Sequence, residues 1–328
     1  MIGNHVSPVE VSPNREPDEQ YKELLHRIRT KGRRAISGMD EGSVEVLGHQ
    51  MVFNFEEGGF PVITERDLTR GTTPEIIANF QPNPEHRAIK GALYQGFAEV
   101  IAFMNGARTQ EELERYGCKF WKPWTSDAAK AAKRGLELGD LGHGSYGAAF
   151  HDFPNPEDPS QPFDQYKALI AQINNRPELR THIITPFIPP YLFRAPGYEQ
   201  KVLIVPCHGI QHFNIDVENR EMSLVHWQRS ADVPIGLPFN MANYAAMLMM
   251  VAQVTGYKPK ELVYQVSNAH MYNQHTEIVD ELLSRPAFKS PILKLDPTVQ
   301  RLEDFRVEHF SIDEYEAHPP IDMGGTAV

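Results

Sequence analysis

The segment VPCHGIQHFNIDVENREMSLVHWQRSADVPIGLPFN, residues 205–240, decides the fold. Within it, apolar and polar residues alternate over 210–217, and apolar residues recur through 222–227, where Leu224 and Val225 are adjacent. A period of two is typical of strands that bury one face. The residues between the two runs, ENR at 218–220, predict a hairpin-like turn. The segment therefore predicts two antiparallel strands that are paired in a sheet.

The same patterns extend outward from this pair. A short apolar run predicts a strand at 202–205, and the nearly unbroken apolar run at 239–254 predicts a helix that is buried on both sides and ends at Gly256. Further helices are predicted at 21–29, 109–115, 130–137, 163–174 and 276–284, and further strands at 183–184 and 262–266, with a strand, a turn at Gly48-His49 and a second strand over 44–55.

These elements predict one α/β domain of the α+β type, in which helices flank a mixed, largely antiparallel sheet. Residues 1–18 are polar and proline-bearing, and we expect them to form a flexible arm before a domain that spans 19–328. Residues 72–87 are rich in proline, asparagine and charge, which predicts a loop or a short helix.

The composition argues against several classes of function and location. The net charge of −11 argues against binding to nucleic acid or to a membrane surface, although a small basic pocket can still hold one phosphate. Two cysteines in 328 residues fit a reducing cytoplasm better than a disulfide scaffold. The N-terminus has no apolar core for a signal peptide, and the apolar stretch 241–254 is too short to cross a bilayer.

Cys207 is the candidate nucleophile of the central segment. It follows a proline that closes an apolar run, so it can lie at the end of a strand and face a cleft. Nearby positive charge lowers the pKa of a thiol, and Arg229 is the candidate cation. The alternative is that Cys207 is a small buried hydrophobic residue, as a lone cysteine often is.

Several short motifs occur in order around Cys207. They are Gly48-His49-Gln50-Met51, Gly59-Phe60-Pro61, Pro206-Cys207-His208, Gln228-Arg229-Ser230-Ala231-Asp232, Gly236-Leu237-Pro238-Phe239-Asn240, Ala269-His270-Met271-Tyr272 with His275, residues 315–320, and Ala327-Val328. Together they resemble thymidylate synthase over about residues 21–328. The resemblance implies that family's fold, a homodimer, and one-carbon transfer from 5,10-methylenetetrahydrofolate to C5 of a pyrimidine nucleotide monophosphate, without a metal.

The resemblance also implies roles around the nucleotide. Cys207 would add to C6 of the ring, and Arg229 would contact both the thiolate region and the phosphate. Asn240 would read N3 and O4 of a uracil ring, since an amide offers one donor and one acceptor. Glu99 would move protons through water at O4, a task that suits a buried carboxyl group with a raised pKa. The remaining nucleotide residues would be Tyr146 and His208 near the ring, Gln228 and Ser230, His270 and Tyr272 at the sugar 3′-hydroxyl, and Arg180 across the dimer interface.

For the folate, the resemblance implies one anion and an apolar wall. Asp232 would hold the pterin. The other residues of this subsite would be Trp121, Trp124, Gly236, Phe239, Arg66 and Val328. Taken singly, several of these site residues have ordinary alternatives: Glu99 as a surface residue, His208 and His270 as core histidines, Trp121 and Trp124 as core packing, and Asn240 as a helix cap.

The sequence departs from the family at the phosphate and at the folate tail. Residues 37–42 contain no arginine where one is usual, so that Arg33 or Arg34 is the candidate replacement. Thr181 follows Arg180 where the family has a second arginine, and Glu65 stands in place of a lysine. Two smaller changes are Ala231 and Asn268, and the segment around 72–96 is longer than the family needs. These changes indicate a specialised member.

Three functional hypotheses follow. The first is methylation of dUMP to dTMP, with dihydrofolate as the second product. The second is hydroxymethylation, in which water captures the activated one-carbon adduct. The third is a nucleotide-binding paralogue without activity, which the joint presence of Cys207, Glu99, Asn240 and Asp232 disfavours. Asn240 favours uracil over cytosine, and the sequence does not distinguish ribose from deoxyribose.

Overall fold

The computed structural model describes residues 16–36, 42–56, 59–82 and 87–324. Its helices are α1 (Pro17–Lys31), α2 (Pro74–Ala78), α3 (Gly91–Met104), α4 (Gln110–Arg115), α5 (Lys122–Thr125), α6 (Ala128–Ala132), α7 (Tyr146–His151), α8 (Gln165–Asn175), α9 (Pro189–Leu192), α10 (Leu237–Thr255) and α11 (Thr276–Ser284). Its strands are β1 (Arg33–Ala35), β2 (Ser43–Asn54), β3 (Arg87–Ala88), β4 (Ile183–Ile184), β5 (Ile210–Asp216), β6 (Glu221–Asp232), β7 (Lys258–Tyr272), β8 (Ile292–Leu295) and β9 (Phe310–Asp313).

Six strands form the main sheet in the order β1-β2-β7-β6-β5-β4. All neighbours are antiparallel except β6 and β7, which are parallel. A parallel pair needs a long crossover, and α10 provides it. The mixed, largely antiparallel sheet with flanking helices confirms the predicted fold class. Strands β3, β9 and β8 form a separate small sheet.

The pairing of β6 with β7 places functional candidates side by side. Ser230 lies opposite Asn268, and Asp232 lies opposite His270. Alternate residues of β6 are buried, among them His226 and Gln228. These side chains point into the protein from the face that α10 covers. Helix α10 itself is buried along most of its length because α3 packs against its other side.

The buried core depends on a close approach between α3 and α10. Gly96 of α3 lies against the first turn of α10, where an added Cβ would meet the Phe239 ring at 3.4 Å. A small residue at this position lets the two helices pack closely. No helix in the described part of the chain is long and apolar enough to cross a membrane.

Most predicted elements form, with α1, α4, α8, α11, β4 and β5 close to their expected bounds, and with Thr109 as the expected N-cap of α4. Residues 74–78 of the proline-rich segment form the short helix α2. Strands β6 and β7 extend beyond their predicted ends. Only the end of the predicted arm, 1–18, can be compared with the structure. Residues 17–18 belong to helix α1, and 1–15 lie outside the described residues.

Three predicted elements are wrong. Residues 202–205 form no strand, since Leu203 donates its N–H to Leu141 in a loop rather than to a sheet. Residues 44–55 hold no turn: Gly48 takes a left-handed φ of 63°, and β2 continues through it in unchanged register on β7. The helix predicted over 130–137 ends early, at Ala132, and Gly135 follows with a φ of 63°.

Candidate active site

Cys207 lies in the loop before β5, and hydrogen bonds fix its backbone. Its carbonyl oxygen accepts from the N–H groups of Arg229, at 2.7 Å, and Ser230, at 3.2 Å. Its own N–H donates to the hydroxyl of Tyr146, at 2.7 Å. The loop is therefore tied to β6 on one side and to the start of α7 on the other.

Arg229 lies directly beside the thiol. Its Nη2 is 3.4 Å from Cys207 Sγ and 3.3 Å from the carbonyl oxygen of Val205, and its Nε donates to Pro206 at 3.1 Å. Burial raises the pKa of Cys207, and the Arg229 guanidinium acts in the opposite direction. The guanidinium is thus held where it stabilises a thiolate against the cost of desolvation.

His208 is a neutral partner in this cluster. Its ring stacks on Tyr146 with centroids 4.5 Å apart, and its Nδ1 shares a 2.7 Å hydrogen bond with the Tyr244 hydroxyl. Burial, with a smaller contribution from Arg229, lowers the pKa of His208 to about 3. His208 therefore contributes hydrogen bonding and packing, but no charge, near neutral pH.

Glu99 is buried against Trp121, one of the two tryptophans expected at the folate. Trp121 donates its indole N–H to the Glu99 carboxylate at 2.6 Å, and Trp121 packs near Tyr146 and Trp124. Burial raises the pKa of Glu99 to about 7, although the Trp121 hydrogen bond opposes the shift. Glu99 is 8% exposed and can exchange a proton near neutral pH, so it is not a surface residue.

A row of amides runs from β6 to α10. Gln228 Nε2 donates to the backbone carbonyl of Ser230, at 2.8 Å, and to Asn240 Oδ1, at 3.1 Å. The Tyr264 hydroxyl donates to Gln228 Oε1. Asn240 lies inside the first turn of α10, and Gly236 occupies the N-cap position. The alternative use of Asn240 as the N-cap is therefore wrong.

His270 belongs to a polar network at the end of β7. Its Nδ1 is 3.0 Å from Asn268 Oδ1, and Asn268 Nδ2 donates to Glu45 at 2.6 Å. Glu45 also forms an ion pair with Arg33, at 2.8 Å. Tyr272 packs edge-on against His270 at 5.4 Å. Arg33, a candidate phosphate arginine, is thus paired in this network, and residues 37–41 lie outside the described part of the chain.

Three of the expected folate residues, Arg66, Asp232 and Phe239, also come together. Arg66 lies over the Phe239 ring, at 5.8 Å, and donates to the carbonyl oxygen of Pro234 at 3.1 Å. Burial raises the pKa of Asp232 to about 7, against a backbone hydrogen bond from Ile235 and the charge of Arg66. Asp232 Oδ1 is buried and has no hydrogen-bond partner among the described residues, so it is an acceptor that suits a heterocycle with N–H groups.

Glu65, the departure at the folate tail, points into the protein. It is 0% exposed, and burial together with the neighbouring Asp18 raises the pKa of its carboxyl group. The C-terminal segment covers this region through bonds to backbone carbonyl oxygens. The Tyr315 hydroxyl donates to those of Ile63 and Arg66, and the Arg285 guanidinium to those of Glu65 and Pro319. Val328, the last expected folate residue, lies outside the described residues.

Arg180 is the site candidate that the fold does not bring to Cys207. Its carbonyl oxygen accepts from His212 at 3.1 Å, and it lines a hollow of about 480 Å³ with Asn214, Ser223 and Lys260 on the outer side of the sheet. Within the described residues, no group of three His, Cys, Asp or Glu side chains is placed to hold a metal ion.

Sequence reasoning missed three residues that shape the site: Tyr244, Tyr264 and Glu45. Tyr244 and Tyr264 are buried and bond site residues through their hydroxyl groups. A tyrosine in an otherwise apolar helix or strand is a signal, because its hydroxyl needs a partner when buried. Glu45 carried no comparable signal, since alternating strands often place a charge on an exposed face.

The position of Arg229 predicts the reactivity of Cys207. We expect Arg229→Gln to slow alkylation of Cys207 by iodoacetamide at about pH 8 by about tenfold, because loss of the guanidinium raises the thiol pKa by on the order of one unit. The rate is measured by mass spectrometry of the labelled peptide. The control variant Arg220→Gln changes an arginine of the β5–β6 turn and should keep the rate. Equal rates in all three proteins would contradict this role of Arg229.

The pKa of Glu99 predicts a pH-dependent stability. The folded state holds this proton up to about pH 7 and the unfolded chain only up to 4.5, so the stabilisation is complete below 4.5 and is lost as pH rises through 7. We expect the free energy of unfolding of Glu99→Gln, relative to the unchanged protein, to rise by about 2 kcal/mol between about pH 5 and pH 8. Urea denaturation at several pH values measures it.

Glu112→Gln is the matched control for this experiment. Burial opposes the shift, but the N–H groups of Arg108 and Thr109 hold the pKa of Glu112 below its ordinary value. The stabilisation from Glu112 is thus already complete at about pH 5, and its variant should show a constant deficit above that pH. A constant difference for Glu99→Gln as well would show that Glu99 ionises normally in the folded state.

The arrangement as a whole puts a thiol, a guanidinium, side-chain amides and a protonatable carboxyl group around one region of the fold. The roles of the individual residues remain predictions. A comparison of the sequence with protein families finds a match to thymidylate synthase over residues 19–327. Because the match covers nearly the whole chain, the protein belongs to the thymidylate synthase family.

Proposed function

We propose that this enzyme methylates dUMP to dTMP through a covalent adduct of Cys207 at C6 of the uracil ring. Membership of the family assigns folate-dependent one-carbon transfer to a pyrimidine nucleotide, with 5,10-methylenetetrahydrofolate as co-substrate. The folate supplies the carbon unit and, in methylation, the hydride. The base, the product and the individual catalytic residues are the parts that we propose.

The contact between Arg229 and Cys207 Sγ carries the proposal. A thiolate adds to C6 because that carbon is electrophilic, and the addition makes C5 a carbon nucleophile. Arg229 lies 3.4 Å from the sulfur and lowers the cost of ionising it in a buried loop. Tyr146 holds the Cys207 N–H, so the sulfur has a fixed position from which to attack.

Two further residues support the proton transfers and the choice of base. Glu99 is a buried acid with a pKa of about 7, which suits proton exchange at O4 near neutral pH. Asn240 supports uracil, because an amide can donate to O4 and accept from N3–H.

Trp121 and Tyr146 favour methylation over hydroxymethylation. Both rings are buried, and they pack beside Glu99 with centroids 6.1 Å apart. Hydride transfer needs a site from which water is excluded, and aromatic walls exclude it. Hydroxymethylation is the second candidate, because the departures at Asn268 and Glu65 change the surroundings of the same site.

We also propose a cytoplasmic homodimer, joined through the outer face of the main sheet. This face carries a hollow of about 510 Å³ beside Trp227 and Gln265 as well as the hollow beside Arg180, and the side chains of Leu47 and Ile183 are about half exposed there. A second copy on this face would cover the apolar residues and bring its Arg180 toward the phosphate.

Turnover with labelled substrate tests the proposed reaction. Incubation with [5-³H]dUMP and 5,10-methylenetetrahydrofolate should release tritium to water, and the product mass should be that of dTMP with an equal amount of dihydrofolate. Cys207→Ala should lower the rate by at least about 10³-fold because the covalent step is lost. Cys118→Ala is the control and should retain turnover. Cys118 is the second free cysteine and, unlike Cys207, is fully buried.

The outcomes separate the alternatives. A hydroxymethyl product without dihydrofolate would replace methylation with hydroxymethylation. Turnover of dCMP, UMP or CMP in preference to dUMP would overturn the substrate. Tritium release that is equal in Cys207→Ala and in the unchanged protein would overturn Cys207 as the nucleophile.

Subunit complementation tests the dimer. Arg180→Ala and Cys207→Ala are each expected to be impaired, and refolding them together should restore about a quarter of the activity, because half of the dimers are mixed and half of their sites are complete. The control pairs Arg180→Ala with a chain that carries both changes, in which no complete site can form. Equal activity in the two mixtures would contradict a shared site.

A further inference from the structure

We propose that Tyr264 is a positioning residue for base selectivity, which acts by fixing the orientation of the Gln228 and Asn240 amides. The proposal rests on the function above, in which Asn240 reads the pyrimidine, and adds a residue remote from the nucleotide. Three connected hydrogen bonds carry it: Tyr264 donates to Gln228, and Gln228 donates to both Ser230 and Asn240.

The first step fixes Gln228. Its Nε2 faces the carbonyl oxygen of Ser230, which only accepts, and its Oε1 faces the Tyr264 hydroxyl. Gln228 is 1% exposed and Tyr264 is 0% exposed, so water does not compete for these groups. Rotation of the amide by a half turn would place two oxygens together at Ser230. The Ser230 carbonyl and the Tyr264 hydroxyl therefore hold the two ends of one amide.

The second step passes this orientation to Asn240. The same Nε2 donates to Asn240 Oδ1 at 3.1 Å, so a rotated Asn240 would set two N–H donors against each other. Asn240 is left with its Nδ2 donors and one lone pair of Oδ1 for the base. Uracil matches this pattern, since O4 accepts and N3–H donates. Cytosine presents the opposite pattern, because its N4 donates and its N3 accepts.

The third step is the rigidity of Tyr264 itself. It lies opposite His226 in the pairing of β6 with β7, and their rings are 4.6 Å apart. His226 stacks on Tyr244 at 3.6 Å, so that three rings pack together under the sheet. Burial keeps the pKa of Tyr264 well above its ordinary value, and its hydroxyl therefore remains a donor at all working pH values.

Tyr264→Phe tests the proposal through nucleotide binding, without reference to folate or turnover. The dissociation constants of dUMP and dCMP are measured by calorimetry. We expect the preference for dUMP over dCMP to fall by about tenfold or more, because Gln228 loses one of its two anchors and Asn240 can rotate.

Tyr166→Phe is the matched control. Tyr166 is also a buried tyrosine that bonds a buried glutamine, with Tyr166 Oη 3.0–3.2 Å from the amide of Gln211. Both variants remove one buried tyrosine hydroxyl with its hydrogen bonds, which for Tyr166 include a 3.3 Å contact with the Met247 sulfur. Both should lose thermal stability, but only Tyr264→Phe should lose selectivity. An equal loss of selectivity in both would mean that general loosening is the cause, and would overturn the proposal.

A second variant changes Gln228, which lies between Tyr264 and Asn240 in this series of hydrogen bonds. It tests the proposal also if Tyr264→Phe does not fold. In Gln228→Glu, the protonated carboxyl group donates its one hydrogen to Ser230 and offers Asn240 a lone pair. Asn240 should then rotate, and the preference for dUMP should again fall by about tenfold or more. A preference that is unchanged in the folded variants would overturn the role of Tyr264 and leave the proposed function intact. An unchanged protein that does not prefer dUMP would overturn both.

Discussion

The carbonyl oxygen of Cys207 is the point on which the site depends. It accepts hydrogen bonds from the N–H groups of Arg229 and Ser230, and so it fixes an irregular loop to a regular strand. The direction of β6 then decides the rest, because Arg229 must face the thiol while Gln228, one residue earlier, must face the core. A strand separates neighbouring side chains onto opposite faces. One backbone contact thereby places the Arg229 guanidinium beside the sulfur and directs the Gln228 amide toward Asn240.

Burial sets the pKa values of the two carboxyl groups of the site. Glu99 and Asp232 lie on different elements, yet desolvation raises the pKa of each to about 7. In the part of the chain that the structure describes, neither carboxyl group forms a direct ion pair with a cation. An ion pair would lower these pKa values and make proton exchange near neutral pH harder. Burial thus destabilises the ionised form of both carboxyl groups. As a consequence, both can change protonation state close to neutral pH.

The fold class, most element positions and the placement of Arg229 beside Cys207 could be predicted from sequence. Alternation over β5 and the apolar run of α10 are strong local signals of the fold. The loop at 202–205, where a strand was expected, could not be predicted, because Leu203 bonds Leu141 and no local pattern reports a contact over 62 residues of chain. The continuity of β2 through Gly48 was missed for a related reason: pairing with β7 overrides the local preference of glycine for a turn. Tyr264 was missed because its importance lies in one buried hydroxyl group.

The parallel pairing of β6 with β7 also has a consequence for how the protein folds. The site joins Glu99, Tyr146, Cys207 and Tyr264, which are widely separated in sequence, and a parallel pair cannot close before its crossover helix is in place. Contacts of this kind form late and slowly. During synthesis, the Tyr264 hydroxyl cannot bond Gln228 until β7 has been made. A chain that stops before β7 therefore already carries Cys207 and Arg229, but it lacks the strand that pairs with β6.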